Sequence, residues 1–288
     1  MKAFLALLAL AAATATTTLP QQLSTIVANV PAVVGVAAVD LKSGRSVSLR
    51  GDERFPMGSV FKLPVALEFL RRVDRGEFRL ADSVTIPVSA FAPGFSPIRD
   101  RANGQPVTMT YADILAAMLR DSDNTAADFL LPKCGGAARV TQCLRELGIR
   151  NIRVDRSERQ MSDDLHAKGG ITRYAVDARD TATPNAAIEL LRIVERGGEG
   201  LSPASHALVL KLMSETGTGP KRIKAGLPPG TRFAHKTGTM PGTANDIGIV
   251  MDKRILVVVF TKGAKTDSID AQESAMSAIA RAVYAAME

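Results

Sequence analysis

The sequence predicts a mixed α/β (α+β) protein: one antiparallel sheet built from both chain ends, with flanking helices and an inserted all-helical lobe. Three observations predict it. β-Branched apolar runs lie near both termini, segments with helical apolar spacing fill the middle, and an Ala-rich helical stretch ends the chain. Residues 33–41 (VVGVAAVDL) form a continuous apolar run and read as a buried strand, with a turn at Lys42-Ser43-Gly44 and a hairpin partner over 45–49. Residues 245–251 and 255–261 are similar strands joined by Asp252-Lys253-Arg254, and 268–287 is the closing helix. Between them the spacing predicts helices over 61–73, 111–119, 125–131, 137–147, 186–195 and 205–213. The expected organisation is a sheet domain from 16–57 plus 205–288, and an all-α domain over 58–204. A polar, irregular stretch at about 155–184 reads as a long active-site loop, because unstructured loops of that length are usually functional.

The start of the chain reads as a secretory signal peptide over residues 1–15. Lys2 supplies the charge, the apolar run 3–13 is too short to span a bilayer, and Ala13-Thr14-Ala15 fits a cleavage site. Thr16-Thr17-Thr18 followed by Pro20 is a poor continuation of that run as a helix. The expectation is a secreted or periplasmic monomer with no membrane contact in its mature form. The net charge of +7 is scattered and aromatics are only 5%, which argues for solubility rather than nucleic-acid binding. Cys134 and Cys143 suit either a disulfide, in an exporting context, or two small buried apolar residues.

Three short motifs carry chemistry. Ser59-Val60-Phe61-Lys62 places a lysine about one helical turn from a serine, and a serine hydroxyl needs a nearby base to act as nucleophile. Pro64 argues mildly against a routine helix here, and a capping serine with an exposed lysine would look the same. Ser122-Asp123-Asn124 lies between two helical segments; it offers a hydroxyl and an amide, although such turns favour these residues anyway. Lys236-Thr237-Gly238-Thr239 can bind a carboxylate, with Gly238 allowing close approach of a substrate to the backbone; an edge strand with a glycine bulge is the plain alternative.

In this order, at the junctions between helical middle and terminal sheet, the motifs resemble those of class A serine β-lactamases and penicillin-binding proteins, over residue 22 to the end. The resemblance implies a serine β-lactamase/penicillin-binding-protein-like fold, hydrolysis of penicillins and cephalosporins through an acyl-enzyme, antibiotic resistance, and no cofactor or metal. It implies Ser59 as nucleophile, Lys62 as neighbouring base and Ser122 as proton shuttle to the lactam nitrogen. Asn124 would anchor the substrate's side-chain amide, and Lys236, Thr237 and Thr239 would hold its carboxylate. The N–H groups of Ser59 and Thr239 would form the oxyanion hole.

Within that superfamily, Glu158 in Asp155-Arg156-Ser157-Glu158 stands where class A enzymes carry the glutamate that activates water, and Arg156 with Asp180 matches the salt bridge that closes the loop. Arg159 stands where many members have proline, so the resemblance carries no cis peptide to this position. Ser162 replaces the asparagine that usually helps hold the water, and 163–177 is longer than usual. Glu158-Arg159-Gln160-Met161 and the segment 218–224 are similar to the PER-like, extended-spectrum branch, which implies Arg222 as support for the substrate carboxylate. Phe95 matches the aromatic at the cleft mouth, and His235 reads as a packing residue. Gly58 and Met240 occupy positions that form a disulfide in class A carbapenemases, so weak carbapenem turnover is expected.

The alternatives are a D-Ala-D-Ala carboxypeptidase or transpeptidase, and a β-lactam sensor that stays acylated. Glu158 argues against both. A Ser-His-Asp hydrolase lacks a G-x-S-x-G around Ser59, and a zinc enzyme lacks clustered ligands.

Overall fold

The computed structural model describes residues 17–198, 200–265 and 268–287. The expected signal peptide over 1–15 lies outside the described residues. The described chain starts with α1 (Leu19–Ala28), β1 (Val33–Asp40), β2 (Ser46–Leu49) and the short β3 (Phe55–Pro56). Pro20 in the first turn of α1 and the Thr18 capping box explain why a helix begins where the sequence reading had only a poor helix continuation. A 3-10 turn, Gly58–Phe61, runs straight into α2 (Lys62–Asp74). Pro64 therefore falls in the first α-helical turn, where its missing N–H has no intrahelical acceptor to lose.

The ribbon β4 (Ser83–Ile86) and β5 (Val107–Thr110) brackets α3 (Pro97–Arg101). Next come α4 (Tyr111–Leu119), α5 (Asn124–Leu130) and α6 (Gly136–Glu146). The stretch expected to be irregular holds α7 (Glu158–His166), α8 (Gly170–Tyr174) and β6 (Thr181–Ala182), which pairs with β3. Then follow α9 (Pro184–Arg196), α10 (Pro203–Ser214), α11 (Ile223–Gly226), β7 (Phe233–Met240), β8 (Thr243–Val250), β9 (Ile255–Lys262) and α12 (Asp270–Ala286). Every peptide bond among the described residues is trans.

The main sheet is antiparallel with order β2-β1-β9-β8-β7. β1 and β9 meet at its centre, Val36 opposite Val259, so the two chain ends share one sheet. Both faces are covered. Ala37, Leu256 and Phe260 join a core with the helices of the middle, while Val36, Val257 and Val259 pack towards Leu23 of α1 and Met276 and Ile279 of α12. A strand buried on both sides has no polar alternation, which is why β1 reads as a continuous apolar run.

α9, in the segment expected to form the helical lobe, packs across β1, β8 and β9. Its buried Ile188, Leu191 and Ile193 line the sheet side of the core. Helical periodicity predicts a helix with a buried stripe; it does not say which layer the stripe faces. β7 is an edge strand, as the plain alternative had it, but its pairing with β8 runs without a bulge, Gly238 opposite Asn245.

Candidate active site

Ser59 sits in the 3-10 turn, which packs against β7 and β8. Lys62, the first residue of α2, is fully buried. Its Nζ donates to Ser59 Oγ at 3.0 Å, to the Ser122 carbonyl at 2.7 Å and to Asn124 Oδ1 at 2.7 Å. It also stands 2.9 Å from Glu158 Oε1. A buried ammonium needs this many acceptors to offset its lost hydration. Ser59 Oγ donates to Glu158 Oε1 at 3.4 Å. Glu158 is thus within reach to take the Ser59 proton, and Lys62 can do so once its ammonium has passed a proton to Glu158.

Ser122 faces the same centre from the turn between α4 and α5. Its φ of +62° is a left-handed conformation uncommon for a non-glycine residue. That conformation turns its carbonyl to Lys62 and its Oγ to Lys236 Nζ, 2.8 Å away. Lys236 is also fully buried, and burial together with the nearby Lys62 holds its ammonium pKa well below the ordinary lysine value. Asp123 points away, capping α5 through the Ala126 N–H at 2.9 Å. Asn124 holds Lys62 with its oxygen and the Pro93 carbonyl with its nitrogen, at 2.9 Å.

Glu158 is the first residue of α7, whose N-terminus is fixed by a Ser157–Gln160 capping box. A second anchor was missed in the sequence. Asp128 accepts the Glu158 N–H at 2.6 Å and the Arg159 N–H at 3.0 Å. Burial pushes the Asp128 carboxyl up, and these two N–H bonds oppose it. Asp128 lies four residues after Asn124, on the same face of α5, and that spacing was the available signal. Arg156 Nε donates to Asp180 Oδ2 at 2.6 Å, so the pair expected to close the loop is in contact. Asp180 Oδ1 also accepts the N–H groups of Asp155 at 2.7 Å and Arg156 at 3.1 Å.

The far wall belongs to β7. Thr237 Oγ1 meets Thr218 Oγ1 at 2.5 Å, and Thr239 Oγ1 accepts from Arg222 Nη2 at 2.7 Å. Arg222 is buried; Nη1 binds the carbonyls of Gly238 at 3.1 Å and Asn245 at 2.8 Å, and Nε binds Glu273 Oε1 at 3.1 Å. Glu273 was not foreseen. Gly238 has a packing reason of its own. A Cβ there would stand 2.2 Å from the Met57 carbonyl and 3.2 Å from the Ser59 nitrogen. The missing side chain lets the 3-10 turn press against the strand. Likewise a Cβ on Gly58 would lie 3.1 Å from the Thr239 nitrogen and 3.2 Å from Met240 Cγ, so the Ser59 and Thr239 backbones sit side by side.

Ser59, Ser122, Asn124, Glu158, Arg222, Thr237 and Thr239 line a cleft of about 390 Å³, with Phe95, 58% exposed, beside Gly94; Lys62 and Lys236 are buried outside that lining. A larger cavity of about 470 Å³ lies within 156–179, but its Arg156 and Arg179 are already paired with Asp164 and Asp177. His235 is outside the cleft lining: it is buried, bonds Asp246 at 2.9 Å and tilts against Phe233. Cys134 and Cys143 are free, buried thiols.

An antiparallel sheet bearing K-T-G on its edge, facing a helical layer that bears S-x-x-K and S-D-N, is the plan of the penicillin-recognising serine enzymes. The chain belongs to the β-lactamase enzyme family, which it matches over residues 18–287. It is 32% identical over 276 residues to the extended-spectrum β-lactamase PER-1 of Pseudomonas aeruginosa, covering 92% of this chain and 86% of that one. It is 34% identical over 253 residues to the carbapenem-hydrolysing β-lactamase KPC of Klebsiella oxytoca, covering 86% and 82%. Among solved structures it is similar to a β-lactamase from Chitinophaga pinensis, with a TM-score of 0.85, 32% identity and coverage of 94% and 99%. A reconstructed ancestral class A β-lactamase gives a TM-score of 0.82 at 36% identity, covering 93% and 100%.

Proposed function

We propose that this enzyme hydrolyses penicillins and cephalosporins through an acyl-enzyme on Ser59, and so confers resistance to them. Ser59 Oγ attacks the lactam carbonyl as its proton passes to Glu158, or to Lys62 once that ammonium has given a proton to Glu158. The Ser59 and Thr239 N–H groups hold the oxyanion that develops. The C–N bond then breaks as Ser122, hydrogen-bonded to Lys236, hands its proton to the departing nitrogen and is reprotonated from Glu158 by way of Lys62, which leaves Glu158 ionised for the next step. Lys236, Thr237 and Thr239, with Arg222 behind them, hold the substrate carboxylate, while Asn124 and Phe95 bound its side chain. Glu158 takes a proton from the water that attacks the Ser59 ester, which frees the serine and the opened acid. No cofactor takes part.

The observation that carries this reading is the position of Glu158 Oε1, 2.9 Å from Lys62 Nζ and 3.4 Å from Ser59 Oγ. A carboxylate there can serve the second step, which transpeptidases and sensors carry out slowly. The proposal includes a monomer exported by the signal peptide over residues 1–15, and weak carbapenem turnover because Gly58 and Met240 carry no thiols. Nitrocefin tests it: hydrolysis of many equivalents supports a lactamase. A reaction that stops near one equivalent, with the adduct retained, makes the protein a transpeptidase-like enzyme or a sensor.

A further inference from the structure

The wall that ends in Phe95 hangs on side chains from elsewhere. Arg99 holds the Ala92 carbonyl at 2.8 Å and the Gly94 carbonyl at 2.9 Å. Asn124 holds the Pro93 carbonyl with Nδ2 at 2.9 Å, and the Phe95 carbonyl with its backbone N–H at 3.0 Å. The remaining carbonyl, that of Phe91, accepts from Nη2 of Arg159. Arg159 is the residue after Glu158, and its own N–H is fixed on Asp128. Its side chain thus crosses from the start of α7 to the opposite wall, behind the cleft rather than in it. A proline at this position would have neither the N–H that Asp128 accepts nor a donor for Phe91.

Asp128, the Lys62–Glu158 ion pair, buried Met161 and the Arg156–Asp164 pair hold α7 on its own side of the cleft; the bridge to Phe91 ties it to the Phe95 wall. We propose that Arg159 is a positioning residue for the water step, which fixes the gap between Glu158 and the Phe95 wall. This rests on the acyl-enzyme reading above. Arg159 is exposed and outside the packed core, so its replacement leaves the fold intact. The bond to Phe91 is charge-assisted and directional, so alanine removes it and lysine restores it in part.

The test compares Arg159→Ala and Arg159→Lys with wild type and Glu158→Gln on nitrocefin. In Arg159→Ala, kcat and KM fall together about tenfold or more as acyl-enzyme accumulates. The ratio kcat/KM stays within about twofold of wild type, and lysine recovers part of kcat. Hydrogen exchange of Arg159→Ala, read on the same proteins, becomes faster in both 91–95 and 158–162. Wild-type kcat in Arg159→Ala, or a kcat/KM that falls as far as kcat, overturns the proposal. A wild-type protein that never turns nitrocefin over removes the functional reading instead. The exchange measurement then still decides the bridge, and unchanged exchange in both segments refutes it.

Discussion

Lys236 Nζ lies 2.8 Å from Ser122 Oγ, with both residues buried. One ammonium therefore serves a proton-passing hydroxyl and, in the proposed reading, the substrate carboxylate. Burial and Lys62 hold its pKa well below the usual lysine value of about 10.4. As pH rises through that lowered pKa, kcat/KM for an anionic β-lactam falls, and the alkaline limb lies below the ordinary lysine range. For stability the sign is opposite: between the folded pKa and about 10.4 the unfolded chain binds more protons, so the unfolding free energy gains with pH. Lys236→Arg keeps its charge and loses the limb from the pH profile of kcat/KM. A limb at the ordinary lysine pKa in wild type contradicts this.

Buried Arg222 pairs with the partly buried Glu273, 3.1 Å away. Glu273→Ala leaves a guanidinium buried without that partner, at a cost of about 3–5 kcal/mol in denaturant unfolding. The freed Arg222 no longer holds Thr239 Oγ1 squarely, so KM rises about tenfold, or roughly 1.4 kcal/mol, with little change in kcat. A variant whose KM equals that of wild type would show that Arg222 needs no support from α12.

The two thiols give an inexpensive check on the helical layer. Burial pushes Cys134 up to about 12 and Cys143 up to about 11. Neither forms reactive thiolate near neutral pH, since the thiolate is the nucleophile. A chromogenic disulfide reagent should find no thiol in the folded protein and both after denaturation. Rapid labelling of the native state, or none after denaturation, rules out this arrangement.

What was legible in the sequence was local. Ser59 and Lys62 are three residues apart, so a single turn brings them together whatever the tertiary fold. β1, β8 and β9 announced themselves as apolar runs buried on both faces; β2 was read from its alternation, and β7 was only the plain alternative for the K-T-G segment. The interior of 155–184 did not, because α7 buries only Glu158 and Met161 and so has no apolar stripe to read. The Ser157–Gln160 capping box was present as S-x-x-Q, but without periodicity it marks a helix start poorly. Asp128, Glu273 and the role of Gly238 were hidden for a different reason. Each acts on a partner 30 or more residues away (Glu158, Arg222 and the Met57–Ser59 turn), and such contacts exist only once the elements pack.

The central claim is that Glu158 drives release of an ester on Ser59. The direct measurement is Glu158→Gln mixed with nitrocefin, followed by intact mass and peptide mapping. The account predicts one covalent equivalent on the Ser59 peptide, released about 100- to 10,000-fold more slowly than wild type turns over. Wild-type turnover without any trapped adduct, or an adduct on another residue, would contradict it.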